Sequence, residues 1–288
     1  MTTSNANWAV ITGSTGGIGS EIAELLAARG QNMILLNRSV SKTDAQKARL
    51  LAKHPGLQIE AVIADLMDAS QTARAIKAIN AIPGRVDALY NNSGVLTSEK
   101  VLSKQNFESQ FAVNVLAPYQ LTIGLKDKMM RNATDTPGMV VLFSSSAVNP
   151  QKSLKLSDLP NPERVGGLMG TYAQSKLAVT TLAPALAGTL RSDNILIRAV
   201  DPGATKTAMT SGNSAMPKAL QWLEPLLFSP ADKQAAKVVN SADPAAFDGQ
   251  TGIFVANGKR KRMPKPAADT PTQAELLSLL ERALIVLE

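Results

Sequence analysis

The chain contains no cysteine and a single histidine, His54. Without thiols there is no disulfide, no thiolate nucleophile and no cysteine-based zinc site. One histidine, set in the loop-like run Lys53-His54-Pro55-Gly56, leaves no material for a histidine-based triad or a His-rich metal site. No metal is expected, and His54 reads as a solvated loop residue. Aromatics make up only 4% of the chain against 44% hydrophobic residues, so Ala, Leu, Val and Ile must fill the core. No window approaches the ~18 consecutive apolar residues of a spanning helix. Met1 to Asn7 is polar and uncharged, unlike the basic and then apolar start of a secretory leader. The expectation is a cytoplasmic protein with no transmembrane segment.

The formal net charge is +7, and part of it is local, in Lys259-Arg260-Lys261-Arg262 followed by Lys265. A basic run can meet nucleic acid or an anionic surface. This one is short, lies beside Pro264 and Pro266 and has no interleaved aromatics. It reads as a solvated connector, and no nucleic-acid partner is expected. No internal repeat, low-complexity stretch or interdomain linker is present, so residues 1–288 read as one domain.

Apolar runs and helical patterns alternate along the chain. Strands are expected at Trp8–Thr12, Asn32–Asn37, Gln58–Ala64, Ala88–Tyr90, Met139–Phe143, Ile195–Val200 and Gly252–Val255. Helices are expected over Glu21–Arg29, Asp44–Lys53, Asp68–Ile79, Asn106–Arg131, Thr171–Leu190, Lys233–Ser241 and, from Thr270-Pro271-Thr272-Gln273, to about Leu287. The last start reads as a capping box with proline at the first helical position. Met139–Phe143 is unbroken apolar sequence, as in a strand covered on both faces. This rhythm predicts right-handed βαβ units and a doubly wound, Rossmann-type parallel sheet of about seven strands with helices on both faces.

Two stretches carry chemistry. Gly13-Ser14-Thr15-Gly16-Gly17-Ile18-Gly19 joins a strand to a helix N-terminus. Glycines allow a tight turn and close approach of a pyrophosphate, to which the helix start offers free N–H groups and partial positive charge. The second is Thr171-Tyr172-Ala173-Gln174-Ser175-Lys176. At i and i+4 a tyrosine and a lysine share one helix face. An ammonium beside a phenol favours the phenolate, the change a tyrosine needs for acid–base work near neutrality.

Together with Asp65, Asn91-Asn92-Ser93-Gly94, Asn114, Ser145 and Pro202-Gly203-Ala204-Thr205-Lys206-Thr207, these stretches resemble the short-chain dehydrogenases/reductases over nearly the whole chain. Serine stands at position 93 where the family pattern has alanine, a small-for-small change. The resemblance implies a nicotinamide dinucleotide cofactor. It implies that Gly13 to Gly19 wraps the pyrophosphate, that Asp65 and Leu66 contact the adenine, and that Asn92 and Gly94 line the adenosine side. Pro202, Gly203, Thr205 and Thr207 would cover the carboxamide. Tyr172 would be the general acid/base, with Lys176 on the nicotinamide ribose and lowering the tyrosine pKa. Ser145 would orient the substrate oxygen, counted from Gly138 in preference to Ser144 and Ser146. Asn114 would help hold a proton-relay water.

The stretch between Ser145 and Tyr172 is longer than in compact family members. That insertion, near 151–170, and the tail 257–288 resemble the retinol-dehydrogenase-like branch. The insertion is expected to form substrate wall, with Leu168, Met169, Met209, Met216, Trp222, Leu227 and Phe228 as apolar candidates; core or lid packing suits each of them as well. Asn37 stands where NAD-preferring relatives tend to carry Asp, and Arg38 follows it. An arginine there suits a 2′-phosphate, with Ser14, Thr15 and Ser39 as further donors. NADP(H) is therefore expected in preference to NAD(H), although Gly16 occupies a position where many NADP-preferring members are basic. The expected activity is carbonyl–alcohol interconversion on a lipophilic small molecule, by a homodimer or homotetramer. The competing class is a dinucleotide-sensing regulator on the same fold.

Overall fold

The structure, a computed structural model, describes residues 6–203 and 229–285. Thr205, Thr207, Met209, Met216, Trp222, Leu227, Phe228 and the expected helix end at Leu287 lie outside the described residues.

Strands and helices alternate as the apolar pattern requires. In order they are β1 (Asn7–Thr12), α1 (Gly17–Ala28), β2 (Asn32–Asn37), α2 (Val40–Lys53), β3 (Ile59–Ile63), α3 (Ala69–Ala81) and β4 (Arg85–Asn91). A divided helical stretch follows, then β5 (Gly138–Phe143), α7 (Ala173–Ser192) and β6 (Ile195–Asp201). The helix Ala231–Ser241, β7 (Ile253–Ala256), β8 (Lys259–Lys261) and the C-terminal helix Thr270–Ile285 complete the described fold.

Among the described residues the strands form one sheet in the order β3-β2-β1-β4-β5-β6-β7-β8. All neighbours are parallel except β7 and β8. The expected count of about seven is thus exceeded by one short antiparallel edge strand. The supposed basic connector is that strand, with Lys259 paired to Ala256 and Lys261 to Phe254.

Every residue of β5 and β6 is buried, because both faces are covered. On one face, Leu177, Leu182, Leu186 and Leu190 of α7 pack with Ile197 and Ala199 of β6 and with Leu276 and Leu280 of the C-terminal helix. On the other, Ile22 and Leu26 of α1 and Val238 of the helix Ala231–Ser241 pack with Val141 and Val200. Arg198, fully buried on β6, ties the sheet to the segment after that helix. Its guanidinium donates to the carbonyls of Gln250, Ser241, Asp243, Pro244 and Ala246 at 2.7–3.2 Å.

Connections leave β1 toward β2 and β3, and β4 toward β5 and β6. The crevice of such a sheet opens at the C-terminal strand ends near this reversal. Gly13, Asn92, Ser145 and Gly203 all follow those ends.

The helix expected over Asn106–Arg131 is divided into α4 (Ser109–Phe111), a π-helical turn (Ala112–Leu116), α5 (Ala117–Gly124) and α6 (Lys126–Met129). Asn106 takes a left-handed conformation, φ 61°. The helix begins instead at the fully buried Glu108, whose carboxylate accepts from the N–H groups of Gln110 and Phe111.

Candidate active site

The glycine-rich turn is built by close backbone approach. Gly13 and Gly17 have φ of 67° and 55°, a region glycine enters without steric cost. A Cβ at Gly19 would lie 2.4 Å from the carbonyl oxygen of Gly13, so the first turn of α1 rests directly on the loop. Asn92 clamps the same turn, its amide donating to the carbonyls of Thr12 and Gly13 at 2.9 and 3.0 Å. Gly16 is exposed and open, with no side chain capping α1 and no acidic residue in its first turn. These are the features an anion needs at a helix start, and they fit a pyrophosphate.

Ser14 does not offer its hydroxyl to that space. It is fully buried and bonds Asn37 and Gln46, while Asn37 Oδ1 accepts from the Ser14 N–H at 2.7 Å. Thr15 is half-buried at the loop surface. Arg38 is 79% exposed in its side chain, with Nη1 3.9 Å from the Asp65 carboxylate. Asp65 also accepts from the Met67 N–H, and Leu66 is buried. Ser39 serves as N-cap of α2.

The three serines after β5 part ways. Ser144 is buried and lies 2.6 Å from the Thr180 hydroxyl, while Ser146 is exposed. Ser145, half-buried, is near enough to the Tyr172 phenol to oppose the upward push that burial gives the tyrosine pKa. Lys176 is buried on the next turn. Its ammonium donates to the Phe143 carbonyl at 2.8 Å and sits 5.8 Å from the centre of the Tyr172 ring. Asn114, in the π-helical turn, exchanges hydrogen bonds with Val95 N–H and C=O and donates to Ser175 Oγ at 3.0 Å.

The electrostatics depart from the expectation that Lys176 brings the phenol down. Burial pushes the Tyr172 pKa up, Ser145 opposes this, and the charge of Asp201 adds to it. Burial also pulls Lys176 down to about 8, against the pull of Asp201. Both groups are withdrawn from water, and the ammonium lies over the ring rather than at the oxygen, so desolvation outweighs attraction in the free protein.

The 151–170 segment is fastened to the start of α7 by Gln174. That side chain accepts from the Lys155 N–H at 2.8 Å and donates to Gln151 Oε1 and the Ser153 carbonyl. Leu156 and Leu159 are buried in the core. Leu168 and Met169, in the π-helical turn that ends at Tyr172, remain 45% and 54% exposed. Sequence reasoning missed Gln174, which lies inside the motif it singled out. It also missed Asp201, a charge that ends β6 directly before Pro202-Gly203.

Residues 7–156 match the family model described as short chain dehydrogenase, and the chain belongs to that family. It is 32% identical over 205 residues to short-chain dehydrogenase TIC 32 A, chloroplastic, of Brassica napus, covering 69% of this chain and 64% of the relative. It is 30% identical over 200 residues to human retinol dehydrogenase 13, covering 69% and 59%. The match thus spans less than two thirds of the length of these relatives. A crystal structure from Mycobacterium paratuberculosis superposes with a TM-score of 0.73 at 26% identity, covering 96% of this chain and 92% of that one. No described helix is long and apolar enough to cross a membrane.

Proposed function

We propose that the chain is an NADP(H)-dependent oxidoreductase interconverting a carbonyl and an alcohol on an apolar small molecule. The observation that carries this reading is that Lys176 lies over the Tyr172 ring, with Ser145 acting on the same phenol, at the sheet edge from which the uncapped start of α1 also leaves. Gly13 to Gly19 would hold the pyrophosphate. Arg38, Asp65 and Leu66 would take the adenosine end. Lys176, Pro202, Gly203, Thr205 and Thr207 would take the nicotinamide end. When bound, the nicotinamide supplies or accepts a hydride.

The chain's own residues manage the proton. In reduction, Ser145 donates a hydrogen bond to the substrate oxygen and Tyr172 gives that oxygen its phenolic proton. In oxidation Tyr172 takes the proton back. A phenol whose pKa is raised by burial keeps its proton in the free protein, which suits the acid role. Leu168 and Met169, exposed beside Tyr172, suit an apolar substrate.

Tyr172→Phe tests the assignment. NADPH affinity, by calorimetry, should hold, while turnover on a panel of ketones and aldehydes should fall at least ~10²-fold. Near-normal turnover would sink the mechanism. Binding by the wild type without turnover across the panel would favour a dinucleotide sensor instead.

A further inference from the structure

Asp201 ends β6 with its residue only 4% exposed. Ile197 and Ala199 of this strand face the α7 side, while Val200 faces the opposite core. Strand alternation puts Asp201 on the α7 side. Lys176 reaches the same place from α7, because its ammonium binds the carbonyl of Phe143, and Phe143 pairs with Val200, the residue before Asp201. One carboxylate oxygen accepts from the Gly203 N–H at 2.9 Å, and the Asp201 carbonyl accepts from Asn257 N–H at 3.0 Å. Among the described residues Asp201 has no ion-pair partner within 4 Å; burial pushes its pKa up, while the Gly203 N–H and the more distant charges of Lys176 and Lys237 oppose that rise and favour the carboxylate.

We propose that the Asp201 carboxylate selects the charge state of the bound cofactor, favouring the cationic oxidised nicotinamide over the neutral reduced one. This rests on the reading that the nicotinamide lies at Lys176, Tyr172 and Gly203. A fixed negative charge in a site withdrawn from water attracts a cation several Å away and is indifferent to a neutral ring. Lys176 acts on the same ring with the opposite sign, so Asp201 offsets it. Tighter holding of the oxidised form also leaves the reduced form the readier hydride donor.

The test is calorimetric titration of NADP+ and NADPH into the wild type and Asp201→Asn. Asparagine keeps the shape and an oxygen acceptor for the Gly203 N–H. The expected result is that NADP+ affinity falls on the order of tenfold relative to NADPH, about 1.4 kcal/mol. Asp201→Ser, a second neutral replacement, should shift the ratio the same way. A purely structural role would weaken both forms by one factor, and that outcome, or an unchanged ratio, overturns the proposal. If the wild type binds neither nucleotide, the cofactor reading itself falls and this proposal with it; binding of both with an unchanged ratio removes only the role of Asp201.

Discussion

Arg38→Ala should abolish most of the preference for the 2′-phosphorylated cofactor. The size of the effect follows from the surroundings of Arg38. A charge-assisted bond from a guanidinium to a phosphate contributes about 1.5–3 kcal/mol. The side chain is 79% exposed, so the lower part of that range applies. Its present partner, Asp65 at 3.9 Å, must be partly released, at a cost of roughly 0.2–1 kcal/mol for an exposed pair. The net is about 0.5–2 kcal/mol, or roughly two- to thirtyfold in affinity. Asn37 adds no repulsion, being neutral and turned into its bonds with Ser14. Calorimetry with NADPH and NADH on wild type and variant reads the effect directly. NADPH affinity should drop by that factor and NADH affinity should move less than about twofold. Equal loss of both cofactors would make Arg38 a structural residue, and a wild type that prefers NADH would refute the reasoning.

Lys176, pulled down to about 8 by burial, should lose its charge as pH rises through that value. NADPH affinity should weaken across the same range, with the limb displaced to lower pH in Asp201→Asn because the carboxylate supports the ammonium; a titration flat through pH 8 would contradict this. The stability sign runs the other way: between about pH 8 and 10.5 the unfolded chain keeps a proton that folded Lys176 has released, so this group's contribution to stability grows with pH over that window. Arg198→Met would strand five carbonyl acceptors, each costing about 1–3 kcal/mol if left unsatisfied. Allowing for relaxation, a loss of at least about 3 kcal/mol and a fall in melting temperature of roughly 6–12 °C are expected by calorimetry; a change under about 2 °C would mean the segment repacks freely.

The parallel strands were legible because apolar runs such as Met139–Phe143 can be stable only when covered on both faces. The glycine turn was legible because its glycines have a steric reason to be there, which Gly13 and Gly19 bear out. β8 was not, since Lys259–Lys261 shows no apolar alternation. It forms because Asn257 and Gly258, with φ of 52° and 73°, make a tight turn suited to a hairpin. That Asn-Gly signal stands in the sequence, but the basic run was read by its charge alone. The start of the C-terminal helix was legible only to within a residue, because Asp269 rather than Thr270 accepts from the Thr272 N–H. The choice among Ser144, Ser145 and Ser146 depends on Thr180, distant in sequence but adjacent in space. The raised phenol was hidden for a similar reason: spacing reports that Tyr172 and Lys176 share a helix face, but not how much water each loses.

That loss of water bears on what the pair does best. Burial favours the uncharged form of both groups, holding the proton on Tyr172 and loosening the one on Lys176. A protonated phenol is ready to act as an acid, because an alkoxide forming on the substrate is a far stronger base than phenolate. The reverse task needs the phenolate, and the cation beside it must then be intact. Removing the proton from Tyr172 calls for higher pH, while keeping Lys176 charged calls for pH below about 8. On the proposed roles of Tyr172 and Lys176, oxidation would need two opposed demands to be met together, whereas reduction would need only the states that burial already prefers. Asp201 acts in the same sense on both groups, keeping Lys176 charged and Tyr172 protonated. If the pair carries the proton as proposed, the charges that the chain itself contributes would suit carbonyl reduction near neutral pH.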